Sequence, residues 1–98
     1  MPQKSYAKGS KVCRVTFRLP AEIDAKSASL CGEFNGWDPS ANPMKRLKDG
    51  SFKTSLSLPS GRSYRFRYLI DGERWENDWN ADGYIPNSFG SDDSVVEV

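Results

Sequence analysis

The chain is 98 residues long, the size of one domain, and its 14 Lys and Arg nearly cancel its 13 Asp and Glu to leave a formal net charge of +1. That balance excludes a basic nucleic-acid arm and an acidic solvating tail, and the absence of histidine removes the commonest general base and metal ligand. No apolar run approaches the ~18–20 residues that span a bilayer, and the polar start Pro2-Gln3-Lys4 lacks the apolar core of a signal peptide, so a cytoplasmic location is expected.

Residues 1–10 are polar, carry Pro and Gly, and show no periodicity; they read as a flexible N-terminal arm, with 11–98 forming a single domain. From Val12 the pattern alternates. Cys13, Val15, Phe17 and Leu19 share one face, Arg14, Thr16 and Arg18 the other, until Pro20 ends the strand. Ala21 to Ser27 is turn-like, and Ser27 to Phe34 reads as a second strand. The punctuation of Asn35-Gly36 and Asp38-Pro39 opens a loop. Met44 to Lys48 and Ser51 to Leu58 form a hairpin about Asp49-Gly50, for which a two-residue turn is expected. Ser63 to Ile70 alternates Tyr64, Phe66, Tyr68 and Ile70 against Arg65, Arg67 and Leu69. Asp71-Gly72 then turns the chain back through Glu73 to Glu76. Residues 77–93, rich in Asn, Asp, Gly and Pro, read as one long loop, and Ser94 to Val98 closes the chain as a strand.

Short strands separated by turn signals, with no helical period, predict an all-β sandwich of about seven short antiparallel strands. Aromatic residues make up 12% of the chain, and each buried ring hides ~150–250 Å², so the core is expected to be aromatic-rich. A chain this short hides only ~60–65% of its unfolded surface, which leaves room for one core and little space for a deep enclosed active site. Cys13 should face inward and Cys31 outward; opposed faces cannot be bridged, so both thiols should be free.

The segment Leu30-Cys-Gly-Glu-Phe-Asn-Gly-Trp37-Asp resembles the signature loop of carbohydrate-binding module family 48. The likeness continues through Pro59-Ser-Gly-Arg-Ser-Tyr-Arg-Phe-Arg-Tyr-Leu-Ile-Asp-Gly72, Trp75 and Phe89-Gly-Ser-Asp-Asp-Ser-Val-Val96, and so covers residues 12–98. This family comprises glycogen- and starch-binding domains of the immunoglobulin-like early-set fold. They occur in isoamylases, in branching enzymes and in the β subunit of AMP-activated protein kinase. The resemblance implies a noncatalytic α-glucan-binding module for glycogen, starch or maltooligosaccharides, which would accompany or assist a glucan-active enzyme. It implies that Trp37 and Trp75 pack against the glucan. Arg67 stands where the kinase module has a lysine that bonds sugar hydroxyls. Phe89 stands where an aliphatic residue threads the glucan turn, and Ser91 and Asp93 stand at a threonine and an asparagine position.

The residue types suit that chemistry. A glucose ring offers C–H faces to flat aromatics and hydroxyl edges to fixed polar groups. Asp93 is acceptor-only and costlier to desolvate than an amide, so an asparagine there is expected to bind more tightly. Trp79, flanked by polar residues, is expected to anchor the long loop together with Tyr84 and Ile85. Asp78-x-Asn80-x-Asp82-Gly83 copies the start of a calcium loop, but its twelfth position is Phe89 rather than glutamate, so side chains bonding their own turn are expected and no metal. The arginines at 62, 65 and 67 read as a solvated sheet face rather than a nucleic-acid surface. No acid–nucleophile pair stands out among the carboxylates. No cofactor, nucleic-acid or membrane partner is expected, and a protein partner in glycogen or starch metabolism is the further one admitted. The alternative reading is a protein-interaction or scaffolding domain of the same fold, without significant sugar affinity.

Overall fold

A computed structural model of the chain describes residues 2–6, 11–88 and 90–98. Its strands are β1 (Gln3–Tyr6), β2 (Val12–Leu19), β3 (Ala28–Gly32), β4 (Lys45–Arg46), β5 (Phe52–Pro59), β6 (Ser63–Ile70), β7 (Arg74–Glu76), β8 (Gly83–Pro86) and β9 (Asp92–Glu97). One sheet has the order β1-β2-β5-β4 and the other β3-β6-β9-β8, all antiparallel. β6 is the spine of the second sheet. It pairs with β3 along one edge, while its other edge is shared: β9 takes Ser63 to Phe66 and β7 takes Tyr68 to Ile70. The result is a β-sandwich of the immunoglobulin-like early-set type. Among the described residues no helix is long and apolar enough to cross a membrane.

The inward faces follow the alternation of the sequence. Cys13, Val15, Phe17 and Leu19 of β2 and Phe52 and Leu58 of β5 pack against Leu30, Tyr64, Phe66, Tyr68, Ile70 and Val96. Aromatic rings fill the centre: Phe66 meets Phe17 edge-on at 5.0 Å between centroids and Tyr68 at 5.6 Å. Both geometries suit the ring quadrupole. Cys13 belongs to this core. Cys31 is fully buried but lies outside it, opposite Arg67 in the β3–β6 register, and both thiols are free.

The strands beyond the seven expected are β1 and β8. Gln3–Tyr6 falls in the stretch expected as a flexible arm and instead pairs with the outer edge of β2, Lys4 opposite Val15 and Tyr6 opposite Cys13. Backbone hydrogen bonds carry that pairing and all four side chains are exposed, so hydropathy left no trace of it. The remainder of that arm, residues 1 and 7–10, lies outside the described residues. Gly83–Pro86, expected as loop, pairs with β9 at the sheet edge, where its terminal proline is tolerated.

Turn chemistry also separates the two hairpins. At Asp71-Gly72 both residues are left-handed (φ 53° and 71°) and Glu73 N–H closes onto Ile70 O at 3.0 Å, the two-residue turn expected. At Asp49-Gly50 only Gly50 is left-handed, and the turn closes more widely, with Leu47 N–H on Ser51 O at 2.8 Å. The Asp49 carboxylate accepts from both Ser51 N–H and Ser51 Oγ, and this local bonding competes with the tighter turn.

Asp71 does a second job. Its Oδ1 accepts from Lys26 N–H at 2.8 Å and Ser27 N–H at 2.9 Å, pinning the β6–β7 turn to the approach of β3. The Ser27 and Lys26 amides hold its carboxyl below the usual carboxylate range. A lowered folded pKa means that its contribution is complete above the unfolded value of ~3.9 and is lost as pH falls through the folded value. Asp71→Asn, which keeps an acceptor and tolerates the left-handed backbone, should therefore melt below the parent at neutral pH, with the gap closing as pH falls through the lowered folded value of Asp71. Melting curves across pH check this; a gap independent of pH contradicts it.

Candidate functional site

β3 ends at Gly32, where the chain passes so close to β6 that an added Cβ would lie 2.7 Å from Arg65 O and from the Phe34 ring. Only glycine permits that approach. A 3₁₀ turn over Glu33–Asn35 comes next, and each of its side chains is committed. Glu33 Oε1 accepts from Arg65 N–H at 2.7 Å. Phe34 turns inward against Phe17 and Tyr64, with centroids at 5.9 and 6.1 Å. Asn35 Oδ1 accepts from Gly32 N–H at 3.0 Å, while its Nδ2 donates to Leu30 O at 2.9 Å and Asn42 Oδ1 at 2.7 Å.

This clamp delivers Trp37. Gly36 and Trp37 are both left-handed (φ 65° and 61°), and Trp37 N–H returns to Gly32 O at 2.9 Å. The return bond over a left-handed glycine is the usual way a helical turn is closed. A bulky residue held there costs about 1–2 kcal/mol, and strain of this kind gathers where function fixes a side chain. Asp38 then bonds Ser40 N–H and Oγ, which stiffens the exit and holds its carboxyl below the usual range. Trp37 ends half-buried, neither core nor free in water.

The outer face of the second sheet supplies the rest. Residues paired across an antiparallel ladder share a face. The register sets Cys31 beside Arg67, Leu69 beside Trp75, Arg65 beside Val95 and Ile85 beside Asp93. Over this face lies a groove of about 750 Å³ lined by Trp37, Trp75, Arg65, Arg67 and Asp93, together with Pro86 from the end of β8 and Asn87 and Ser88 from the β8–β9 connection.

Trp75 is 43% exposed, and the Arg67 guanidinium carbon lies 5.7 Å from its ring centroid, over its face. Arg67 Nε is buried with no hydrogen-bond partner among the described residues. A buried donor left unpaired is costly; the Arg67 side chain lines the groove, where its guanidinium is a charged donor group. Asp93, 7% exposed, is held from two sides: Arg65 Nη1 lies 3.8 Å from Oδ2, and Asn87 Nδ2 donates to Oδ1 at 3.1 Å. The same Asn87 amide donates to Ser91 Oγ at 3.1 Å. Beneath this face, burial and then the Asp38 carboxylate push the Cys31 thiol pKa up, so the sulfur is a neutral thiol at physiological pH.

Of the residues expected to form a sugar site, Trp37, Arg67, Trp75 and Asp93 meet in this groove. Ser91 is exposed and bonded to Asn87 rather than part of the lining. Phe89 lies outside the described residues. Arg65, Asn87, Pro86 and Ser88 were not expected. Arg65 was legible in principle, because it stands two residues from Arg67 on one alternating strand; Asn87 sits in a polar segment that gives no pattern. The pairing of Asp93 also changes its expected cost. The carboxylate is desolvated before any ligand arrives and has a cation beside it, so the gain expected from asparagine shrinks to the donor it would add.

Trp79 does not anchor the long loop as expected. It is 55% exposed and lies apart from the groove. Asp78 is the anchor instead: 3% exposed, its Oδ2 accepts from Tyr68 Oη at 2.7 Å and its N–H donates to Ser94 Oγ at 2.9 Å. Burial and the neighbouring carboxylate push the Tyr68 phenol well above its ordinary pKa, so it stays a donor. Tyr84 Oη shares the task through Asp78 O at 2.7 Å, whereas Ile85 is 38% exposed. The aspartates of the calcium-like sequence have separate partners, since Asp82 Oδ2 receives Glu97 N–H and the Lys4 ammonium. Among the described residues no cluster of metal-ligating side chains forms.

Residues 6–85 match the family described as Carbohydrate-binding module 48 (Isoamylase N-terminal domain). A protein named 1,4-alpha-glucan branching enzyme GlgB, from Photobacterium profundum, is 34% identical over 91 residues; the match covers 90% of this chain and 12% of that enzyme.

The left-handed backbone at position 37 separates two substitutions that remove the same indole. Trp37→Gly should be more stable than Trp37→Ala by about 1 kcal/mol, because only glycine adopts φ 61° without a Cβ penalty. Chemical denaturation of the two variants measures the difference; equal stability contradicts the strained turn.

Proposed function

The chain belongs to carbohydrate-binding module family 48, and from that premise we propose that it is a noncatalytic α-glucan-binding module whose groove takes glycogen, starch or a maltooligosaccharide. The observation that carries the reading is the joint presence of Trp37, Trp75 and Arg67 in one groove, with the Arg67 guanidinium over the Trp75 ring. The two indoles offer platforms for C–H-rich ring faces, and Arg67 and the Asn87–Asp93 pair offer donors and an acceptor for hydroxyl edges. Arg67 in place of lysine keeps a charged donor and adds a planar surface stacked on Trp75. The wedge role of Phe89 and a hydroxyl contact by Ser91 belong to the same proposal and are carried by the family resemblance. Among the described residues the lining holds one carboxylate, already bonded, which suits retention of a sugar rather than its cleavage.

Magnitudes place the affinity low. Covering one indole face removes ~100 Å² of apolar surface, or about 2.5 kcal/mol at ~25 cal/mol/Å². Two faces and a few hydrogen bonds act against an association cost of ~4–15 kcal/mol. The balance is a dissociation constant of roughly micromolar to millimolar for an oligosaccharide. Because the branching enzyme named above is matched over a small part of its length, a partnership with a glucan-active enzyme is part of the proposal, as is a reducing cytoplasmic setting, which suits two free thiols.

Fluorescence titration of a Trp79→Phe background, which removes the indole outside the groove, tests the reading. Maltoheptaose should give a saturable change that cellohexaose does not, and Trp75→Ala should abolish it while the fold is retained. No response at about millimolar sugar overturns the proposal and leaves the protein-docking alternative.

A further inference from the structure

Trp79 is exposed, yet the backbone on both sides of it is fixed. The preceding residue, Asp78, is buried and bonded to Tyr68 and Ser94, and its Oδ1 accepts from the amide beyond the tryptophan, Asn80 N–H, at 2.8 Å. The indole N–H points to Glu76 Oε1 at 3.4 Å. An open aromatic face on an immobilised loop is a preorganised platform, one that loses little conformational freedom on binding.

That platform lines a cleft of about 300 Å³ between the two sheets, completed from the first sheet by Arg18 and Pro20 at the end of β2 and by Ser51 before β5. The volume sits at the lower end of the ~300–1,000 Å³ range of small-molecule sites and suits a sugar ring or two. The lining carries chemistry also found in the groove, an indole, an arginine and an amide at Asn80, while the Asp78 carboxylate behind them is buried and bonded within the protein. One cation and one anion leave no net charge to select an ionic ligand. A neutral ligand with an apolar face and hydroxyl edges fits best. Among the described residues the cleft and the groove share no lining residue.

We propose that the Trp79 cleft is a second α-glucan site, independent of the groove. The proposal rests on the reading of the chain as an α-glucan binder, because a polymer held at the groove presents further rings of the same kind to a second platform. Two weak sites on one rigid domain then hold a branched or particulate glucan more tightly than either holds a short chain.

Indole N–H signals of the intact ¹⁵N-labelled chain, each assigned by its Trp→Phe variant, test this with maltotriose. The Trp79 signal should shift saturably, and its midpoint should change by less than about twofold in Trp75→Ala. Trp79→Ala should leave the Trp75 response in place while weakening retention on glycogen by about fivefold or more. A Trp79 signal that stays still while Trp75 moves overturns the second site and leaves the groove intact. A Trp79 shift that vanishes in Trp75→Ala shows transmission from the groove and overturns independence. If neither signal moves, both readings fall; if Trp79 alone moves, the cleft stands and the groove reading falls. Unchanged glycogen retention overturns joint use of the two sites.

Discussion

The Asn35 side chain accepts from Gly32 N–H and donates to Leu30 O and to Asn42 Oδ1, so one amide joins the end of β3, the 3₁₀ turn and the return of the loop toward β4. Each of those groups, left unpaired when buried, would cost about 1–3 kcal/mol. Around this clamp Gly32 allows the close pass against β6, Phe34 fills the core beside Phe17, and the chain is forced into consecutive left-handed residues at Gly36 and Trp37. The strained tryptophan is a consequence of the clamp and not of any preference of its own. A half-buried indole at the groove is the result.

β6 supplies the complement. Its inward residues, Tyr64, Phe66, Tyr68 and Ile70, make much of the core, while the intervening Arg65 and Arg67 face the groove. Because side chains alternate with a strict period of two, core packing and groove chemistry are fixed by one register. A slip of one residue would bury the arginines and expose the aromatics. β7 pairs with β6 beyond the end of β9, which sets Trp75 beside Leu69 and within stacking distance of Arg67. The groove is therefore built on ladder hydrogen bonds rather than on loop conformation alone.

Much of this was legible from residue order. Strict alternation marked β2, β5 and β6, and Asp71-Gly72 marked its turn, because backbone period and turn chemistry are local properties. β1 was hidden because its side chains are all exposed and its backbone makes the ladder with β2. β8 was hidden because an edge strand of Gly, Tyr, Ile and Pro reads as loop. At the candidate site, Trp37, Trp75 and Arg67 were expected from motif and alternation, and the fold brings them to one groove. Asn87 was not, since its value lies in bonds to Ser91 and Asp93 that only the folded β8–β9 connection creates. Trp79 was misjudged for a related reason: the neighbouring Asp78, through Tyr68, does the anchoring that the larger ring was expected to do.

The central proposal is a glucan lying across the two indoles with a hydroxyl or ring oxygen at the Arg67 guanidinium. A crystal structure of the chain with maltoheptaose tests this most directly. It should show glucose faces within about 4 Å of both Trp37 and Trp75 and a sugar oxygen within hydrogen-bond distance of the Arg67 guanidinium. A saturated crystal whose groove holds no sugar, or a sugar that touches neither indole, contradicts the account.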